Sequence, residues 1–478
     1  MEARIFCFQR RYLSILKLST SGKGSAEENY VTIAEVISPS ENSGLVRGLG
    51  LGSATAIVAG AVIGSGVFLV AAEITRALPS PFLALVVWAV AGVLSMMGGL
   101  MVAELGAAFP GEGGPYLYFR EAFSPLMGFL NGWTIALIIE PGSIGGCAIG
   151  VAHFSTYFFS LSPLGIKLVA SSIVLGFTLI NLIGLKAGAE VMDILTVLKI
   201  LALIGIVVAG MILPAQVAAP FHSFSGGTVS SFGVALIAAF WAYDGWLNVS
   251  YIAGEIKNPQ RNVPLALLIG IGTATLLYLA TNWVYYRFLP IEMIAQSVFP
   301  AGAAAKAMGG EWAVRIMHIA VILSTLGCAN AVILSGARVT YAMAADRVLP
   351  SVLAYVHPTF HVPSVALLVQ MVLALALIAT GSYAQLVTYV ISAGFIFYGL
   401  TAVALIVLRY KQPNLHRPFR VPFYPWLPLV YLLFTILFLG NAVTSRPWES
   451  ITGMGIVLLG LPVYYAMKFS ERSKAHRE

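Results

Sequence analysis

The sequence predicts an all-α polytopic membrane protein of twelve transmembrane helices, arranged as a five-plus-five inverted repeat. Of the 478 residues, 59% are hydrophobic and 10% are charged, and the mean hydropathy is +0.88. Soluble globular chains do not have this composition. Apolar stretches of the roughly 20 residues that a spanning helix needs recur along the chain. Two of them are interrupted by glycine-containing turns five stretches apart.

The interruptions are GAVIGSGVF at residues 60–68, in the first stretch, and WAYDGW at 241–246, in the sixth. An unwound turn leaves backbone N–H and C=O groups without partners, which a membrane tolerates only where that backbone lines a cavity or holds a ligand. For the first turn the alternative is a helix-packing face formed by Gly60 and Gly64. The second, matching turn favours a binding site formed by both.

Irregularities five spans apart predict two repeats of opposite orientation, because an odd number of crossings inverts the second unit. We place the first repeat at residues 47–213, the second at 232–409, and helices 11 and 12 at 425–468. Residues 1–46 are predicted to be a flexible cytoplasmic tail without a signal-peptide pattern, and a mis-assigned start codon would explain them equally well. Residues 469–478 form a second cytoplasmic tail.

Charge gives the orientation of the bundle. Most of the 27 Lys and Arg residues fall on the side of the membrane that also holds both termini. Because the side rich in Lys and Arg faces the cytoplasm, both termini of this cell-membrane protein are predicted to be cytoplasmic. The net charge of +7 is explained by a basic fringe facing anionic lipid, so no nucleic-acid partner is expected.

The residues give no sign of an enzyme. No metal or cofactor spacing is present, and the histidines form no metal-ligand pair. The run GLGLGS at 48–53 has Ser53 where the dinucleotide fingerprint requires glycine. We therefore expect no enzyme activity, no metal and no cofactor.

Lys199 is a charge inside the fifth apolar stretch, where it costs about 2.5 to 3.5 kcal/mol on insertion scales. Asp193 is six positions away and faces another side of the helix, so it cannot be the partner. Either another helix supplies acceptors for the ammonium group, or the side chain extends to the membrane interface.

Several strings resemble a known family: GAVIGSGVF, GWTIALIIEPGS, WAYDGWLNVSYIAGEIKNPQRNVPLAL and SAGFIFYGLTAVALIVLRYKQPNLHRPFRVP. They resemble the amino acid, polyamine and organocation transporter superfamily, most closely its L-type amino acid exchanger branch, over about residues 46–468. The resemblance implies a leucine-transporter-like bundle that moves neutral L-amino acids by alternating access, as sodium-independent exchange. Alternatives are proton-coupled amino acid symport, or antiport of cationic amino acids or amines.

The resemblance also implies that backbone groups hold the substrate. Its carboxylate would meet the amides of Gly64, Ser65 and Gly66, at the positive end of the half-helix that begins there. Its ammonium group would meet carbonyls of the two interruptions, those of Val62, Ile63, Trp241, Ala242 and Asp244. Trp241 would act as an aromatic gate or simply pack, and Ser143 would face the pocket or pack.

For Lys199 the resemblance implies the place that a sodium ion takes in sodium-coupled relatives. The expected partners are the carbonyl of Gly60 or Ala61 and the neighbourhood of Thr325 and Cys328. The resemblance would put a serine near position 328, and cysteine is a weaker partner. Members that pair with a heavy chain carry a cysteine between spans three and four. FSLSPLGI at 159–166 has none, so no heavy-chain subunit is expected.

Four carboxylates leave alternatives open. Glu140, in the third span, would be a proton-linked site, a cation-binding side chain, or a protonated and packed acid. Asp244 would favour cationic amino acids or turn toward the inner vestibule. Glu255 is expected to form an exposed inner-gate pair with Arg338, with Glu104 as an alternative member of that network.

Overall fold

The computed structural model describes residues 44–215, 228–381, 383–445 and 447–475. Nearly all of the predicted tail at 1–46 lies outside these residues, as does the end of the tail at 469–478. The described chain is helical, and its only β pairing is an isolated bridge between Leu49 and Ile256.

The helices of the first half precede residue 213. They are α1 Leu51–Val62, α2 Gly66–Leu69, α3 Ala71–Ala77, α4 Pro81–Ala108, α5 Pro115–Ala122, α6 Pro125–Thr134, α7 Glu140–Ser155, α8 Pro163–Ile183 and α9 Leu185–Ile212. A π-helix, Ile135–Ile139, joins α6 to α7. It lies just before Pro141, which has no N–H to donate to the preceding turn.

The helices of the second half follow residue 228. They are α10 Val229–Ala242, α11 Asn248–Tyr251, α12 Pro259–Phe288, α13 Ile291–Gln296, α14 Pro300–Ala345, α15 Ser364–Thr380, α16 Tyr383–Lys411, α17 Trp426–Ser445 and α18 Pro447–Ala475. Non-helical backbone at Gly309 and Gly310 divides α14 into a short N-terminal part and a long C-terminal part.

Three of the apolar helices begin with the same dipeptide, Ser-Pro. The hydroxyls of Ser80, Ser124 and Ser162 accept from the backbone amide three residues later. Proline follows as the first helical residue, where its missing N–H costs nothing. These sequences therefore fix where α4, α6 and α8 begin.

Eight helices of the described chain are long and apolar enough to cross a membrane. Three shorter apolar helices accompany them: Val229–Ala242, Ser364–Thr380 and Trp426–Asn441. The structure thus supports a multi-helix membrane protein.

The two predicted interruptions are present. The first helix ends at Val62 and resumes at Gly66, and the sixth apolar stretch is non-helical between Ala242 and Asn248. Helices α2 and α3 are nearly continuous, because Val70 between them has helical dihedral angles. Helical residues precede and follow each non-helical turn, so each turn interrupts one apolar stretch.

The interruptions pack against each other. A Cβ added to Gly66 would lie 2.7 Å from the Cβ of Ala242, and one added to Gly245 would lie 2.9 Å from the carbonyl oxygen of Ala61. Gly245 also has a φ of +109°, which side chains rarely adopt. Glycine at these two positions permits the close approach.

Tyr278 of α12 joins the two interruptions. Its hydroxyl lies 2.8 Å from the carbonyl oxygen of Val62 and 3.0 Å from that of Ala242. The side chain is fully buried, so its hydroxyl satisfies backbone groups that the missing helical turns leave open.

Candidate functional site

A cavity of about 130 Å³ lies between the interruptions. Its wall combines interrupted backbone with polar and aromatic side chains. The lining residues used below are Val62, Gly64, Ser65, Gly66, Glu140, Ser143, Cys147, Trp241, Ala242, Asp244, Tyr251, Cys328 and Tyr398. Ile63 is the one predicted substrate-binding residue that does not line the cavity.

The amides of the first interruption are partly satisfied within the chain. The N–H of Gly64 donates to the carbonyl of Val62 at 2.9 Å, whereas the amides of Ser65 and Gly66 find no backbone acceptor among the described residues. The first amides of a helix lack intrahelical acceptors and carry its positive dipole end. Anion-binding capacity is therefore concentrated at Ser65 and Gly66.

The Ile63 carbonyl corrects the prediction for the substrate ammonium group. It accepts from the Lys199 ammonium at 2.8 Å and from the Ser324 hydroxyl at 2.9 Å. Both lone pairs of this oxygen are thus directed away from the cavity. The Val62 oxygen is likewise occupied, by the Gly64 amide and the Tyr278 hydroxyl, so Trp241, Ala242 and Asp244 remain as the cavity-lining candidates.

Lys199 is completely buried and ties the first interruption to α14. Its ammonium group donates to the carbonyls of Gly60 at 2.9 Å, Ile63 at 2.8 Å and Ser324 at 2.8 Å. Three acceptors match the three N–H bonds of an ammonium group. This geometry excludes the alternative in which the side chain extends to the membrane interface.

The predicted partners of Lys199 were only partly right. Gly60, one of the two alternative carbonyls predicted, is a partner, and Ser324 lies in the predicted neighbourhood, next to Thr325. The Ile63 carbonyl was not predicted. The Thr325 hydroxyl donates within its own helix, to Val321. Ser324 lies one helical turn before Cys328, on the same face, and its hydroxyl also donates to the carbonyls of Ile63 and Gly64.

Cys328 instead forms a pair that the sequence did not reveal. Its Sγ lies 3.5 Å from the Sγ of Cys147 in α7 and 3.2 Å from the carbonyl oxygen of Ala61. Both thiols line the cavity. The separation of the two residues along the chain concealed their contact.

Glu140 is the first residue of α7 and is 3% exposed. Its Oε2 has no hydrogen-bond partner among the described residues. A Cβ added to Gly336 of α14 would lie 2.5 Å from this oxygen, so only a glycine there leaves room for the carboxyl group.

Asp244 lies in the second interruption, where its carboxylate accepts a hydrogen bond from the Tyr398 hydroxyl of α16. The Tyr398 ring stacks on Trp246 with centroids 5.5 Å apart. Asp244 is thus held by α16 while it lines the cavity. Trp241, partly buried, and Ser143 line the cavity too.

The Glu255–Arg338 pair exists but is not exposed as predicted. Nε and Nη2 of Arg338 lie 2.6 and 3.2 Å from the two carboxylate oxygens of Glu255, and the side chains are 1% and 0% exposed. The sequence placed both residues near span ends but did not show that both side chains would be buried. A buried, bidentate pair differs energetically from an exposed one.

Glu104 belongs to a separate network. Its carboxylate accepts from Arg409 at 2.9 and 2.5 Å and from the Val421 amide at 2.6 Å, and Arg417 lies 3.4 Å away. The network connects α4 to the end of α16 and the following loop. Glu104 is therefore not a partner of Arg338.

The loop after α4 approaches the Glu255–Arg338 pair. A Cβ on Gly254 would lie 2.0 Å from Oε1 of Glu112. Burial raises the pKa of Glu112 above its ordinary value of 4.5, and the nearby charge of Glu255 raises it further, against the lowering effects of a backbone hydrogen bond and of Arg338. Ionisation of Glu112 is thus disfavoured in this conformation.

Comparisons with known proteins decide the family. The family model described as amino acid permease matches residues 49–461. The chain belongs to this amino acid permease family. Family and relatives are transporters, so this permease is a transporter and not an enzyme.

The permease resembles bacterial and mammalian relatives over most of its length. It is 31% identical to the serine/threonine exchanger SteT of Bacillus subtilis over 435 residues, which are 90% of this chain and 98% of the relative. It is 33% identical to the large neutral amino acids transporter small subunit 2 of Mus musculus over 450 residues, 90% of this chain and 83% of the relative. The human b(0,+)-type amino acid transporter 1 is 30% identical over 440 residues, 89% and 88% of the two chains.

Proposed function

We propose that this permease exchanges neutral L-amino acids across the cell membrane by alternating access, without sodium. The observation that supports this is the contact between the two helix interruptions at the cavity wall. Free amides and carbonyls of opposite polarity lie close together there, as recognition of a zwitterion requires. Three relatives named as amino acid exchangers or transporters support the substrate class.

In this proposal the substrate carboxylate binds the amides of Ser65 and Gly66, and Gly64 lines the cavity beside them with its own amide bonded to Val62. The substrate ammonium group binds carbonyls among Trp241, Ala242 and Asp244. Trp241 covers the bound amino acid as a gate, and Ser143 contacts its side chain. Glu255, through Arg338, closes the cytoplasmic side.

In this proposal, Lys199 is the reason why transport does not require sodium. A cation-coupled mechanism needs backbone carbonyls free to bind the ion. Here the carbonyls of Gly60, Ile63 and Ser324 already receive the ammonium group of Lys199, and the Cys328 thiol contacts the neighbouring carbonyl of Ala61. The lysine therefore occupies the position that an ion would take.

The proposed topology has twelve spans, with the inverted five-plus-five repeat at residues 47–213 and 232–409 and both termini in the cytoplasm. We further propose that the permease works without a heavy-chain subunit, because the connection at 159–166 contains no cysteine. A labelled cysteine at each terminus, probed with an impermeant maleimide in intact cells, tests the orientation.

Purified permease in proteoliposomes tests the function. We expect uptake of labelled neutral amino acids, such as serine or leucine, only when the vesicles contain unlabelled substrate. Replacing sodium by choline is expected to change nothing. Uptake that needs a sodium gradient, or no uptake of any amino acid, would contradict the proposal.

Proton-coupled symport is a second candidate, favoured by the buried carboxyl group of Glu140 at the cavity wall. Symport predicts uptake into vesicles without internal substrate when the outside is made acidic. Obligatory exchange predicts none under the same conditions, so one pH-jump experiment separates the two.

A further inference from the structure

The cavity wall has an acidic character that neutral substrates do not require. The described residues that line it include two with carboxyl groups, Glu140 and Asp244, and none of them is Lys, Arg or His. Asp244 accepts a hydrogen bond from Tyr398. Oε2 of Glu140 has no hydrogen-bond partner among the described residues, although Glu140 is only 3% exposed. Glu140 is thus the unsatisfied acid.

Among the described residues, no cationic group interacts with Glu140. The titratable groups that face it are Asp244, Tyr251, Tyr398, Cys147 and Cys328. Gln370 of α15, which approaches across Gly336, is neutral. A lone carboxylate in such surroundings is costly, so the group keeps its proton while the cavity is empty.

A substrate side chain is the group that can reach Glu140. The interruptions offer backbone groups to the carboxylate and ammonium groups that all amino acids share, and Glu140 lies on the helix opposite, one turn before Ser143 and two before Cys147. Gly336 leaves the space that its carboxyl group occupies. The wall at Glu140 therefore faces the side chain of the substrate.

We propose that Glu140 exchanges its proton for the cationic end group of a substrate side chain. This rests on the proposed function. A neutral amino acid binds with Glu140 protonated. When an amino acid ending in an ammonium or guanidinium group binds, the carboxyl O–H bond breaks, the proton leaves to water in the cavity, and the carboxylate pairs with the cation. One cavity thereby accepts both substrate types with the same net charge in the occluded state.

Proton release upon binding is the direct test. Binding of lysine and of its near-isostere norleucine is measured by titration calorimetry on the purified permease in buffers of different ionisation enthalpy. We expect about one proton released per lysine bound and none per norleucine. In proteoliposomes the apparent KM for lysine should fall as the pH rises, by at most about tenfold per pH unit because one proton is released, while that for norleucine stays level.

The variant Glu140→Gln has no carboxyl proton to exchange at this position. The control is Glu190→Gln, the same substitution at a side chain that is 61% exposed. We expect Glu140→Gln to lose proton release and the pH slope, and its ratio of lysine to norleucine uptake to fall at least tenfold. The control should retain all three.

The outcomes separate the two proposals. Lysine binding without proton release, or proton release that persists in Glu140→Gln, overturns the role of Glu140. Exchange of norleucine without any binding of lysine also overturns it and leaves the proposed function intact. A wild-type permease that exchanges no amino acid refutes the proposed function itself.

Discussion

Lys199 shows how a single residue can fix an interrupted helix in a membrane. The interruption exposes carbonyls that the helix would otherwise satisfy, and the ammonium group binds two of them together with Ser324 of α14. Burial of the charge is compensated by these three hydrogen bonds. The residue thus connects α9, the first interruption and α14.

Replacing Lys199 by methionine should remove exchange. The substitution keeps the side-chain length but leaves three buried carbonyls without the ammonium donor, at a cost of about 1–3 kcal/mol for each group left unsatisfied. We expect exchange to fall at least tenfold and the melting temperature in detergent to decrease. Lys186→Met, at a side chain that is 91% exposed, is the control. Wild-type exchange in Lys199→Met would refute the role of Lys199.

Glu112 should make stability depend on pH. Its pKa is raised in the folded state, so the folded chain binds the proton more tightly than the unfolded chain. No penalty exists below the ordinary pKa of 4.5, and stability decreases as the pH rises from there through the raised value. We expect Glu112→Gln to raise the melting temperature near neutral pH, with the difference vanishing toward about pH 4. Equal melting curves at neutral pH would contradict this.

Helical elements were predictable where glycine and proline mark them. The two interruptions depend on local chemistry, so the sequence indicated them, and the Ser-Pro helix starts depend on equally local chemistry. Ser324 as a partner of Lys199 was not predictable, because it depends on the rotation of α14 against α9. The burial of Glu255 and Arg338 and the contact of Cys147 with Cys328 likewise depend on how distant helices pack.

The contact between the interruptions should be sensitive to a single methyl group. Gly245→Ala places a Cβ 2.9 Å from the Ala61 backbone at a φ of +109°, so the interruptions must move apart. We expect exchange to be lost or reduced more than tenfold. Gly52→Ala adds the same methyl group in α1 with nothing within 4 Å and should leave exchange near wild type. Normal exchange in Gly245→Ala would show that this contact is dispensable.

Glu255 and Arg338 should stabilise the fold only when both are present. Removing one partner leaves a buried charge uncompensated, which costs about 3–5 kcal/mol. We expect Arg338→Met to lower the melting temperature markedly, and the double variant Arg338→Met with Glu255→Gln to recover part of the loss. The exposed pair of Lys306 and Glu311 is the control, since it contributes about 0–1 kcal/mol. No recovery in the double variant would contradict this account of the pair.

At the scale of the whole molecule, the cavity is enclosed by parts of distant origin. The first interruption, the second interruption, α7, α14 and α16 all contribute to its wall. Lys199, Tyr278 and the Asp244–Tyr398 contact connect these parts through backbone groups and buried side chains. Alternating access then requires the interruptions to move relative to α7 and α14 while substrate stays between them.

A structure of the permease with a bound neutral amino acid tests the central claim most directly. We predict the substrate carboxylate within about 3 Å of the amides of Ser65 and Gly66, and the substrate ammonium group at carbonyls of the second interruption. An amino acid bound elsewhere, or residues 62–66 and 241–246 forming continuous helix around it, would contradict the account.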